Sequence, residues 1–492
     1  MKNITLVLSL VVTGLLSAQK GNTLLDQGFW KKNPDVASVK AEIEKGNNPA
    51  ELNPSAFDPT VLAINNNASN EVIKFLLDQN DNDVNKITHD GRIYLHWAAS
   101  KGNVELVEYL IQKGANINLE DSHDATPLVF AANGGQNNTA LYDLFFKSGL
   151  DPKKKYKNNA TLLMLAIAND KDLSLTNYLV TKGLSLKDVD AEGNTVFDYA
   201  ARSGNVSNLR TLLSKGVKFT PISLINAAEA SRRTANTIEV YQYLVDELKI
   251  KPTKLSKNGE SVLHILAKKE NQSDIVLYFI SKGVNVNSAD NDGNTALMNA
   301  ASGRDISLIK LLLDLGAKVN TVNAKGESAL TQAVKSSSVE VINELINKGA
   351  SISIEDKENH NLAYHLVQNY RTPRGGNDDF LDKMNLLKAK GIAVQVPQQD
   401  GSTLYHIAVI KNDLNLIKKL EGFGIDINAK NAEGLTALQK AAMIAKDDSV
   451  LKYLLTLNAD KTLKTEFDET AYDLAKANEV LTKNQINIDF LK

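Results

Sequence analysis

Cysteine is absent from this chain of 492 residues. The absence excludes disulfides, a cysteine nucleophile and a lipid attached to an N-terminal cysteine. Stability must come from apolar packing instead. Only 10 prolines occur, and no Pro- or Ser-rich linker interrupts the chain. An excess of one charge is lacking too: 56 Lys and Arg face 58 Asp and Glu, for a net charge of −2. A dedicated nucleic-acid binder carries a strong basic excess, so nucleic acid is not expected as a partner. Past the N-terminus no apolar run is long enough to cross a bilayer, and stable membrane insertion is not expected. Catalytic motifs are missing as well. There is no Gly-x-Ser-x-Gly, no Walker-type loop and no His-Glu-x-x-His. Carboxylate pairs such as Asp290/Asp292 and Asp378/Asp379 have the context of turns, where they solvate a loop. Neither an enzyme activity nor a cofactor is expected.

Residues 1–18 read as a secretory signal peptide. Lys2 gives a short positive start, Ile4–Leu16 the apolar stretch, and Leu16-Ser17-Ala18 a small residue at the cut. Cleavage after Ala18 leaves Gln19 as the first mature residue. The apolar stretch is too short for a membrane anchor. An exported, Cys-free chain with a Lys-led signal points to a bacterial type. The periplasm is then the leading compartment, and secretion the alternative.

What the chain does have is repetition. The clearest copies are Gly91–Asn118 and Gly293–Asn320, each reading Gly, a short Leu/Ala-rich segment, then Leu-rich residues closed by Gly-Ala. Equivalent opening positions are Asp58, Gly91, Asp124, Asn159, Gly193, Gly259, Gly293, Gly326, Asn359, Gly401, Gly434 and Asp468, mostly 33–35 residues apart. An interval of 66 hides a degenerate copy near Thr220–Thr253, and one of 42 holds an insertion. A fixed period in this range signals a solenoid.

The motif at these openings is Thr126-Pro127-Leu128, with Tyr94-Leu95-His96, Val262-Leu263-His264 and Thr403-Leu404-Tyr405-His406 in the same place. With the period of 33, it resembles the ankyrin repeat over roughly residues 55–485. The expected fold is all-α: an α-solenoid of about 12–13 stacked helix-turn-helix repeats joined by β-turn fingers. Residues 19–54 are expected to cap the N-terminus, 55–465 to form the solenoid and 466–492 to cap the C-terminus.

In Gly91–Asn118 a turn at Asp90-Gly91 leads to a first helix over Leu95–Lys101. The small Ala98 and Ala99 let neighbours approach. A second helix over Val104–Gln112 buries Leu106, Val107, Leu110 and Ile111. Gly114 closes it in the left-handed region, as Gly316 does in its own copy. Thr or Ser two places after the opening residue is read as the N-cap of the first helix: Thr60, Thr126, Thr161, Thr195, Ser261, Thr295, Ser328, Thr403, Thr436 and Thr470. Ile93 and Asn361 break the pattern and leave two helix starts without a hydroxyl.

The resemblance also implies roles. His96, His264 and His406 share one position, where the imidazole bridges neighbouring turns. His89 and His123 are near adjacent finger tips, too far apart to share a metal without a third group between them. His360 and His365 are badly spaced for one helix face, and no metal is expected. The family binds protein partners with its finger tips and the exposed side of the first helix. Carried onto this chain, those positions include His89, Asp90, Arg92, Lys101, His123, Lys257, Lys268 and Lys269. Two further features stand out. Lys153, Lys154, Lys155 and Lys157 surround Tyr156, a basic finger with an aromatic anchor that suits an acidic partner. The insertion near Tyr370–Gly376 carries Arg371 and Arg374, and inserted loops often carry function. The expectation is an exported, monomeric, non-catalytic scaffold that binds another protein on a rigid concave face. Alternatives are an accessory or protective factor for an exported stress or redox enzyme, and a secreted effector that binds host proteins.

Overall fold

Each repeat makes two short helices, because its apolar residues recur at helical spacing for only two turns before Gly or Asn stops them. The computed structural model describes residues 21–230, 235–373 and 378–492. The expected signal peptide, its cleavage site and Arg374 lie outside the described residues. Among the described residues no strand is longer than an isolated bridge, and no helix is long and apolar enough to cross a membrane. The fold is an all-helical ankyrin-type solenoid of stacked pairs, in two compact units, Met1–Thr220 and Pro221–Lys492.

In the first unit, helix Val36–Glu44 precedes pairs that begin at Pro59–Asn65 and end with Val196–Ala200 and Val206–Ser214. In the second, pairs run from Ile222–Glu229 with Ile238–Gln242 to Ala471–Ala477 with Glu479–Lys483. The degenerate copy therefore still makes a helix pair. The C-terminal segment, read as a capping repeat, makes one too. The insertion falls between the two helices of one repeat, Leu362–Asn369 and Phe380–Ala389.

The repeat at 91–118 explains the rest. Its first helix is Tyr94–Ser100, one residue earlier than the sequence suggests, and its second is Val104–Gln112. Leu95, Ala98, Ala99, Leu106, Val107 and Leu110 are fully buried. A buried Leu stabilises by about 2 kcal/mol relative to an exposed one. Asn103 caps the second helix by accepting from Leu106 N at 3.1 Å. The helix ends in a Schellman motif: Ala115 N donates to Leu110 O and Gly114 N to Ile111 O, both at 3.0 Å, with Gly114 at φ +90°. Gly316 repeats the motif at φ +87°.

The opening positions have positive φ throughout, Asp58 excepted. Asp58 is instead the N-cap of Pro59–Asn65, accepting from Val61 N at 2.8 Å, and Thr60 lies inside the helix. The left-handed residue of that copy is Ala56, at φ +56°. The difference is one of register: Asp58-Pro59 stands where Thr126-Pro127 stands, with Pro at the first helical position. Asp58 is also the partner of a buried network. Tyr94 Oη donates to it at 2.5 Å, and Lys86 Nζ lies 2.9 Å away. The two helix starts without a hydroxyl both form. Asn361 caps with its amide oxygen, and His96 Nδ1 accepts from Ile93 N at 3.3 Å.

Candidate binding surface

Successive fingers are laced together by backbone. In several copies the residue before the opening position offers its carbonyl to the next finger: Asp90 O accepts from Ser122 N (2.8 Å), Asn158 O from Ala191 N (2.7 Å), Asp292 O from Ala324 N (2.7 Å) and Lys325 O from Lys357 N (2.9 Å). At Gly326 a Cβ would lie 2.9 Å from Lys357 N, so glycine is needed there for approach as well as for φ. Inside the stack the three motif histidines bridge repeats as the family implies. Nδ1 of His264 and His406 accepts from Ser261 N and Thr403 N at 3.1 Å. Nε2 therefore carries the proton and donates to Asn294 O at 3.0 Å and Leu435 O at 2.9 Å. Burial pushes the imidazoles of His96 and His406 down, His96 to about 4.

Several residues expected at an open surface are committed to this lacing. Lys101 Nζ donates to Asn65 O at 2.8 Å, and Lys269 Nζ to Ala228 O and Glu229 O at 2.7 Å. Each caps the preceding first helix with a cation, where the helix dipole favours one. Lys268 pairs with Glu260 at 2.6 Å. Lys257 is exposed at its finger tip. Arg92 is not an exposed contact. It is 8% exposed, its Nε is 2.8 Å from Asp121 Oδ2, and its guanidinium lies 4.3 Å from the Phe130 ring and 5.2 Å from that of Trp97. Asp90 is the group between the two finger-tip histidines: its Oδ2 lies 3.4 Å from His89 Nε2 and 3.5 Å from His123 Nε2. Slight burial pushes the Asp90 carboxyl up, but the charges of His89, Arg92 and His123 outweigh it and hold it below the usual range.

The basic finger is corrected in one respect. Tyr156 is not an aromatic anchor: it is 8% exposed, and burial pushes its hydroxyl up to about 12. Its backbone N–H closes the finger by donating to Ala160 O at 2.9 Å, as Thr88 N does to Arg92 O. Three of the lysines around it reach along the row of fingers. Lys157 pairs with Asp124 at 2.6 Å, Lys154 donates to Asn118 Oδ1 at 2.9 Å, and Lys155 lies 4.0 Å from Asp188. Lys153 is exposed and lies over Gly183 of the next repeat.

In the second unit the fold gathers groups that spacing alone keeps apart. His360 Nδ1 and His365 Nε2 converge on Asp356 Oδ2, at 3.1 and 3.2 Å, and His360 stacks on Tyr364 with ring centroids 3.6 Å apart. Burial, helped by the charge of Lys335, pushes His365 down to about 4. Among the described residues no group of three His, Asp or Glu is arranged to hold a metal. The insertion flanks two cavities, of about 570 and 690 Å³, and Tyr370 lines both.

Models of ankyrin repeats match residues 60–155, 128–222, 224–323 and 263–356, and a second such model matches 405–455. The chain belongs to the ankyrin repeat family. Ankyrin repeats indicate a protein–protein interaction scaffold. Among curated proteins, palmitoyltransferase AKR1 of Lachancea kluyveri is 32% identical over 124 residues, 24% of this chain and 16% of that protein. The human transient receptor potential cation channel subfamily A member 1 is 28% identical over 236 residues, 45% of this chain and 20% of the channel. The chain thus spans a fifth or less of the length of these two relatives. The crystal structure of the human ASB11 ankyrin repeat domain aligns with a TM-score of 0.37 and 25% identity, over 45% of this chain and 96% of its own.

In each repeat the first helix runs from the finger to a turn that leads into the second helix, and its last exposed residues sit beside that turn. At that place this ankyrin chain exposes Ile410 (57%) and Met443 (47%), seven residues after the caps Thr403 and Thr436 of adjacent repeats. Ile444 beside them is exposed as well. Both residues lie at the ends of helices, Leu404–Ile410 and Ala437–Ile444, whose other apolar side chains are mostly buried, so apolar character alone does not set them apart. Counting seven from each cap would have found them, since Ser100, Asn133, Arg202 and Lys268 fill the same place elsewhere.

Proposed function

We propose that this chain is a non-catalytic scaffold that holds another protein against its finger tips and first-helix ends. The observation that carries the reading is the pair Ile410 and Met443, large apolar side chains left exposed at equivalent places in neighbouring repeats. Exposed apolar neighbours that no fold contact requires mark an interaction surface. Packed repeats support it, since a surface that is ordered before binding loses little entropy on association. The test is capture from native extract with the full chain and with an Ile410→Asp/Met443→Asp variant. Both sites are exposed, so the variant keeps its fold. Loss of a specific partner in the variant supports the reading, and an unchanged set of captured proteins contradicts it.

Export is part of the same proposal and rests on residues 2–18 alone. The order of a positive start, an apolar stretch and a small residue at Ala18 supports secretion through a bacterial-type signal, with periplasmic residence first. Intact mass of the protein recovered from cells is expected to begin at Gln19. Mature protein that retains Met1 would contradict export by this route.

A further inference from the structure

We propose that the larger cavity beside the insertion is a site for an acidic segment of a partner protein, one with an apolar residue next to its carboxylates. Three consecutive repeats build it. Arg304 comes from the turn between Ala296–Ala301 and Ile306–Asp314, Lys335 from the end of Ala329–Ser336, Arg371 from just past Leu362–Asn369, and Lys383 from Phe380–Ala389. Four cations and two carboxylates therefore face about 690 Å³.

The carboxylates are already engaged. Asp379 pairs with Lys383 at 3.1 Å, and Asp378 accepts from Tyr370 Oη at 2.8 Å and pairs with Lys419 at 3.0 Å. Lys335 pairs with Glu327. Arg304 and Arg371 are exposed, and among the described residues neither has a close ion-pair partner, Arg304 acting only at longer range on Glu340. Two guanidiniums with open forks are suited to carboxylates, which they bind through two parallel hydrogen bonds.

The floor says more about the occupant. Leu366 and Phe380 are buried beneath the cavity and offer apolar surface between the cations. A free inorganic anion has no use for that surface, and a space of this size takes several side chains. Two bonds also tie this repeat to the one that carries Ile410. Thr372 donates to Asp413 Oδ2 at 2.8 Å, and Lys411 to Gln368 O at 2.9 Å, so the insertion is tied to the turn that follows Ile410. A chain lying in the cavity can continue onto Ile410. This inference rests on the protein-binding reading and adds the chemistry of the partner.

The test is fluorescence anisotropy with the full chain and a labelled peptide built of Glu-Leu-Glu-Glu-Phe units, beside its Gln counterpart. The acidic peptide is expected to bind saturably and the Gln peptide not to bind. Arg304→Gln/Arg371→Gln is expected to raise the Kd at least about tenfold with an unchanged circular dichroism spectrum, both residues being exposed. Inorganic phosphate is expected to compete no better than chloride of equal ionic strength. No binding of the acidic peptide, equal affinity in the double variant, or specific displacement by phosphate would each overturn the proposal. Capture by the wild type that is lost in Ile410→Asp/Met443→Asp, together with any of those results, would sink this inference and leave the scaffold reading standing.

Discussion

His96 Nε2 and the carbonyl of Ala125 lie 3.1 Å apart, and this bond joins the first helix of one repeat to the finger of the next. It needs a neutral ring, because Nδ1 accepts from Ile93 N. A charged ring would point a proton at that N–H. The folded group titrates near 4 because of burial, against 6.5 when exposed. A depressed folded value means that the contribution is complete above about pH 6.5 and is lost as pH falls through 4. The full effect is about 3 kcal/mol. Urea midpoints of the wild type are expected to drop across that window, and His96→Gln to flatten the drop. Equal pH dependence in the two would contradict the bridge. Long repeat arrays unfold in steps, so the transition of the first unit must be followed by itself.

Gly316 and Gly326 separate two costs. Both have positive φ, +87° and +81°. A Cβ on Gly316 meets nothing within 4 Å, whereas one on Gly326 meets the next finger's backbone, 2.9 Å from Lys357 N. Gly316→Ala should cost about 1 kcal/mol from φ alone. Gly326→Ala should cost more, since a backbone rung must shift too. Denaturant melts of the two variants check the order, and equal midpoints would contradict the account of the finger ladder.

Arg92 and Asp121 test the buried pair. Asp121 also accepts from His123 N at 2.8 Å and Ala125 N at 3.0 Å, so its carboxylate holds the finger. Arg92→Met leaves that charge buried without its cation and is expected to cost about 3 kcal/mol. Adding Asp121→Asn should recover part of the loss. A double variant no more stable than Arg92→Met would contradict the charge argument.

The basic finger gives a prediction on binding. Replacing Lys153, Lys154 and Lys155 with Ser should leave the fold intact, as none packs in the core. If the finger meets an acidic surface of the partner, affinity falls and its salt dependence flattens. Unchanged affinity and salt slope would remove these lysines from the binding surface.

The helix pairs, the glycine caps and the histidine bridges were legible because each follows from local spacing: 3.6-residue periodicity, a left-handed stop, a fixed position in the motif. What escaped depended on the neighbouring repeat. Tyr156 looked exposed among lysines, yet it occupies the finger register that Thr88 and Asp121 bury in their own copies. Arg92 looked like a turn residue, and only Asp121 and Phe130 of the next copy make it internal. Asp356 collects His360 and His365 because the finger folds back on the helix, a contact that counting along one helix cannot find.

The central claim is that the face carrying Ile410 and Met443 holds a protein partner. The direct measurement is binding of the captured partner to purified full chain, by calorimetry, for wild type and Ile410→Asp/Met443→Asp. The account predicts saturable binding by the wild type and a Kd at least about tenfold higher for the variant, with an unchanged melting curve. Equal affinity in the two proteins would contradict it.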